Sequence, residues 1–279
     1  MERFQMYNEN PIEQSAHFEG NETELLIERL CNPVILEQLV NVSSQGYMAR
    51  AESGRLVVTP ELDAQGEPRR DTNGRFILQE NQYVSPKNDQ IREQILASIE
   101  EIRNTTPISF GDEIPNSECI PLNWRIPGGV LPTLKQKSIM EAHEKGHRVR
   151  FFPGSLEGDE FYRKIFGKAF DFSDMSYEQI NYQNDKERYV KAVGRDVSFE
   201  EARNITIDYL SDPAELTERM SQLKNYFGFK GDEVFTQVHL EYARNNYIRD
   251  TGMDNEMHKF FNGIVDESAF LSLMNEMGI

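Results

Sequence analysis

The sequence predicts an α+β fold, with a small antiparallel β layer in the N-terminal half packed with a mostly helical C-terminal half. Three observations predict it. Two short β-rich runs, residues 55–59 and 75–78, flank a polar segment containing Gly66-Glu67-Pro68 and Asn73-Gly74, which reads as a hairpin with a long tip. Beyond Leu131 apolar residues recur at helical spacing almost throughout. Three helix starts carry cap signatures: Thr133-Leu134-Lys135-Gln136, Ser198-Phe199-Glu200-Glu201, and Asp212-Pro213-Ala214-Glu215 with proline at the favoured first helical position.

Taken in order, residues 1–19 are polar and aperiodic and read as a tail or an arm that docks elsewhere. Leu25, Leu26 and Leu30, then Val34, Ile35 and Leu39, have helical spacing, and Pro33 makes this a helix pair or one kinked helix. Residues 46–86 read as β. Ile91, Ile95, Ile99 and Ile102 mark an amphipathic helix over residues 89–103, and prolines and glycines punctuate 104–132 as loop and short strand. Helices follow at 134–150, 177–192, from Ser198, from Asp212, at 232–249 and at 267–277. The aromatic stretch Phe161 to Phe172 is expected in the core. No linker separates the halves, so residues 20–279 read as a single unit with an α+β lobe (20–130) and a helical lobe (131–279).

Composition narrows the function classes. The chain of 279 residues carries 30 Lys+Arg against 47 Asp+Glu, a net charge of −17. Binding to nucleic acid is dominated by phosphate neutralisation, so neither nucleic acid nor an anionic membrane surface is an expected partner. No apolar run is long enough to span a bilayer and the first residues lack a secretory pattern, which predicts a cytoplasmic protein. Cys31 and Cys119 are too few for a disulfide scaffold or a cysteine-rich metal motif and are expected as small buried side chains.

One segment carries specific chemistry. Within Ser138 to Arg148 stands His143-Glu144-Lys145-Gly146-His147, an H-E-x-x-H string on a segment that the Thr133 capping box marks independently as helix. Four-residue spacing places both imidazoles on one helix face, able to reach one ion, and Glu144, turned by about 100°, stands beside that ion to face its water. Ile139 and Met140 extend the face as an apolar stripe, and Gly146 would admit another backbone closely. Lys135, Lys137, Lys145, Arg148 and Arg150 concentrate positive charge around the helix and read mainly as a solvated face.

At these residues the chain resembles the zincin superfamily of zinc-dependent metallopeptidases, over a short match from Ile126 to Arg150. The resemblance implies Zn2+ held by His143 and His147, Glu144 as general base, and a peptide or protein substrate. The metzincin extension would need glycine at 150 and histidine at 153, where Arg150 and Pro153 stand, so the gluzincin-like pattern, with a carboxylate on a later helix as third ligand, fits better. On the helix from Asp212, Leu216, Met220, Leu223 and Phe227 form the core stripe. Glu215 borders it and Glu218 points almost directly away, which makes Glu215 the preferred ligand, although it also completes the capping box. His239, Glu201 and Asp208 are the other candidates, and Tyr209 or His239 the expected partner of the oxyanion. The reading is a zinc metallopeptidase; its alternatives are a non-catalytic zincin-like interaction or assembly protein, and a helical binding module with an accidental motif.

Overall fold

The computed structural model describes residues 21–54, 56–105, 133–150, 159–175, 189–190, 194–253 and 256–279. The expected tail, the expected loops of 106–132 with Cys119, residues 151–158 and most of the helix expected at 177–192 lie outside the described residues.

Pro33 settles the first helical segment as two helices. α1 spans Glu22–Cys31, and α2 begins at Pro33 itself, where the Asn32 side chain accepts from the Val34 amide at 2.9 Å. α2 runs to Glu52, well past the point where strand structure was expected, because Met48, Ala49 and Arg50 are good helix formers and Gly46 lets the Tyr162 ring rest against the helix. Cys31, at the end of α1, is exposed and not buried.

The sheet is a two-stranded antiparallel ribbon, β1 (Leu56–Pro60) and β2 (Leu78–Gln82), in the register Leu56↔Gln82 to Pro60↔Leu78. The second strand starts where the expected one ends. Asp63 and Asp71 each accept two backbone amides through Oδ1, folding residues 61–77 into two successive turns closed by Arg69 N to Glu61 O and Ile77 N to Arg69 O bonds. Residues 75–77 therefore belong to the excursion. Tyr83, just after β2, reaches the helices by stacking on Tyr47 beneath the Arg50 guanidinium.

α3 (Asn88–Asn104) buries Ile91, Ile95, Ile99 and Ile102 against α1 and α2, and Val149 of α4 (Leu134–Arg150) joins that core. α4 starts as expected, with Gln136 and Thr133 exchanging both capping bonds. After α5 (Asp159–Phe166), the remaining described helices are α6 (Phe199–Leu210), α7 (Pro213–Tyr226), α8 (Gln237–Thr251), α9 (Met257–Asn262) and α10 (Glu267–Glu276). They enclose a second, aromatic core in which Phe166, Phe170 and Phe172 pack with Phe260 and Phe270. Among the described residues no helix is long and apolar enough to cross a membrane.

α7 organises the molecule. Leu216, Met220, Leu223 and Phe227 face the aromatic core, yet the opposite face is buried too: Glu218, Ser221, Gln222 and Asn225 lie against α1 and α4. A helix buried all round is ordinarily apolar all round. Here its polar side is satisfied by partners on the two helices it crosses.

Candidate metal centre

α4 and α7 bring three side chains together. His143 Nε2 and His147 Nε2 stand 3.0 Å apart on one face of α4, as the four-residue spacing requires. From α7, Glu215 Oε2 lies 3.4 Å from His143 Nε2, and Glu215 Oε1 lies 3.5 Å from His147 Nε2. The Asp212 carboxylate caps α7 by accepting from the Ala214 amide, which leaves the Glu215 side chain turned toward the imidazoles.

The electrostatics of the group suit a cation. Burial alone would push the Glu215 carboxyl up, but the neighbouring imidazoles of His143 and His147 and the charge of Arg219 outweigh it and hold the group well below the usual carboxylate range. Burial likewise pushes His147 down, and the carboxylates of Glu215, Glu218 and Glu144 reverse the shift to a net rise. His143 is 5% exposed and Glu215 Oε2 is buried without a hydrogen-bond partner. Ligands held at 2.0 to 2.1 Å in a tetrahedral site stand about 3.3 Å from one another. The observed separations of 3.0, 3.4 and 3.5 Å bracket that value. Two imidazoles and one carboxylate with a buried, unpartnered oxygen form a group that could hold a metal ion.

Other residues complete the surroundings. Gln222, two turns beyond Glu215 on the same side of α7, places its amide nitrogen Nε2 3.1 Å from His143 Nδ1. Turned end for end, the same amide would present its oxygen instead, accept the Nδ1 proton and leave the Nε2 lone pair free to ligate. Arg219 Nη2 is 3.4 Å from Glu215 Oε2, and its guanidinium lies over the Tyr209 ring at 5.1 Å. Gly146 sits where the helices cross: a Cβ there would fall 1.8 Å from Glu218 Oε2. Glu218 accepts two bonds from Arg150 Nη1, at 2.7 and 2.6 Å, in a fully buried pair. Lys145 is buried too, paired with Glu141 at 2.5 Å. Thus Lys145 and Arg150, expected on a solvated face, are structural cations inside the protein, because α4 is covered by α1, α3 and α7 together.

The remaining candidates lie elsewhere. His239 packs its ring among Phe227, Phe229 and Phe235 and accepts the Thr236 amide through Nδ1 at the start of α8. Glu201 completes the Ser198 capping box and pairs with Arg195. Asp208 is exposed. Glu144 is half-buried next to His143, close enough to His147 to strengthen that imidazole's hold on a proton. Among the described residues, His143, His147 and Glu215 form the one group of three or more His, Cys, Asp or Glu side chains spaced to share an ion.

No family model, no curated protein and no solved structure matches this chain. The functional reading rests on the residues themselves.

Sequence reasoning did not name Gln222, Arg219 or the Glu218–Arg150 pair. A signal for Gln222 was present in the spacing, since positions 215, 219 and 222 follow one helix face. No sequence signal revealed that this face meets α4.

Proposed function

We propose that the protein is a zinc-dependent metallopeptidase, a hydrolase of peptide bonds in a peptide or protein substrate. The observation that carries the reading is the convergence of His143, His147 and Glu215, with Glu144 beside the imidazoles on the same helix. His143, His147 and Glu215 would hold the ion. Zinc so held supplies Lewis acidity toward a scissile carbonyl and toward water.

The protein's own groups do the rest. Glu144 accepts the proton of the attacking water and delivers it to the leaving amine, so the carboxylate is regenerated in each turnover. Gln222 fixes the His143 ring and its tautomer. Tyr209 and Arg219, stacked beside Glu215, supply the donors that meet negative charge developing on the carbonyl oxygen. Arg150, itself bonded to Ser221 Oγ, holds Glu218 against Gly146 and so fixes the separation of α4 and α7 on which the ligand geometry depends.

A second reading, a non-catalytic interaction or assembly protein in which the same ion is structural, is favoured by the burial of His143. Structural zinc sites are closed and catalytic ones keep an open position. Glu144→Gln separates the two. Protein purified without added metal is expected to hold about one equivalent of zinc, and Glu144→Gln to keep it while losing hydrolysis of an unstructured protein substrate. Metal without hydrolysis in the wild type supports the structural reading, and absence of metal with unchanged stability on chelation rules out both.

A further inference from the structure

A second polar cluster lies between α1, α4 and α7, apart from the three ligand side chains. Arg29, Arg150 and Lys224 are buried there, at 0%, 5% and 1% exposure. Arg29 spends its Nη1 on Asn225 Oδ1 and Phe229 O and its Nη2 on Ser221. Arg150 spends its Nη1 on Glu218 and its Nη2 on Ser221 Oγ. In both arginines the Nε–H is buried and has no partner. Lys224 is buried as a residue, and its ammonium makes no hydrogen bond or ion pair among the described residues.

These donors converge. The Nε–H and the Nη2 N–H of a guanidinium leave the same edge of the group. Both guanidiniums reach one atom, Ser221 Oγ, at 2.7 Å from Arg29 Nη2 and 3.4 Å from Arg150 Nη2. The Ser221 hydroxyl accepts from both and keeps its own proton to donate. Lys224 follows Ser221 by three residues on α7, within electrostatic reach of Arg29 and Arg150.

The charges do not balance. Against three cations stand Glu218, already engaged by Arg150, and Glu22, whose carboxyl burial pushes up to about 7, with Glu233 at the rim. The mutual repulsion is visible at Lys224, where burial and then the two guanidiniums push the amine down to about 7. Burying charged donors without partners is unfavourable, and a buried cluster of this kind is stabilised by a counter-ion.

We infer that Arg29, Arg150, Lys224 and Ser221 form a buried site for a small inorganic anion of the chloride class. Enclosure by buried side chains limits the size, and the two guanidiniums that meet at Ser221 Oγ, each with an unpaired Nε–H, set the position. The anion would join α1, α4 and α7 from within and hold the polar face of α7 in place. The inference does not rest on the peptidase reading.

Thermal unfolding at constant ionic strength, in sodium chloride against sodium gluconate, tests it with the whole protein. Chloride is expected to raise Tm by about 2–4 °C in a saturable manner, and Lys224→Met to abolish the difference. Equal Tm in the two salts, or a full chloride response in Lys224→Met, would overturn the proposal. Bromide soaked into crystals of the wild-type protein gives a readout that needs no variant: an anomalous peak beside Ser221 Oγ supports the site, and its absence counts against it. Zinc content is expected to be the same in both salts, so failure here is distinct from failure of the metal centre.

Discussion

Gly146 and Glu218 touch where α4 crosses α7, so closely that a Cβ on Gly146 would overlap the Glu218 carboxylate. The glycine lies between the two histidines that face Glu215, one turn before Glu218. Gly146→Ala is therefore expected to destabilise the protein by about 2–4 kcal/mol. The gain of roughly 1 kcal/mol in helix propensity is outweighed by displacement of a buried ion pair. Urea unfolding measures the loss, and a stabilised variant would show that the crossing is looser than these contacts imply.

Removing one member of the Arg150 and Glu218 pair strands the other inside the protein. Glu218→Gln should cost about 3–5 kcal/mol, whereas the double variant Arg150→Met, Glu218→Leu should recover most of that loss, because no lone charge remains buried. A double-mutant cycle by chemical denaturation checks the coupling. Additive losses would mean that the two side chains act independently.

Gln222 lies against the His143 ring, its amide 3.1 Å from Nδ1. Gln222→Leu should weaken zinc affinity by roughly 10–100-fold with little change in the apo fold. Competition against a chromophoric chelator gives the number, with circular dichroism as the control for folding.

Tyr209 lies against Arg219, and Arg219 against Glu215. If the centre is catalytic, Tyr209→Phe should lower kcat by about 10²-fold or more with zinc content and KM nearly unchanged, since the lost donor acts on charge present only in the transition state. A rise in KM at constant kcat would place Tyr209 in ground-state binding instead.

Two buried groups give stability a minimum near neutral pH in buffer without halide. Burial raises the Glu22 carboxyl from 4.5 to about 7, so the folded state binds more protons than the unfolded between those values and stability falls as pH rises through that window. Burial lowers the Lys224 amine from 10.5 to about 7, so the unfolded chain binds more protons above pH 7 and stability climbs again toward 10.5. Neither group titrates in Glu22→Gln, Lys224→Met. Urea midpoints between pH 4.5 and 10 should show the dip in the wild type and a flatter profile in the double variant.

Local signals in the chain located α4 to the residue: the Thr133 capping box set its start, and His143, Glu144 and His147 fell on it in the order that metal chemistry uses. Pro33 and Asp212 likewise marked helix starts, because caps and prolines act on their own backbone and need no distant partner. The hairpin strand was misplaced for the same reason in reverse, since the two Asp-anchored turns compete locally with strand pairing.

Composition determined the chemistry of any metal site as His and carboxylate, and spacing determined that two imidazoles share a face. What only the tertiary structure decided is which carboxylate meets them, that Gln222 backs His143, and that Glu218, Lys145 and Arg150 are buried and not solvated. Periodicity states which residues of a helix lie together. It is silent on which helix they face, and α7, wrapped on both sides, turns its polar face toward α4 and α1 where an isolated amphipathic helix would turn it to water.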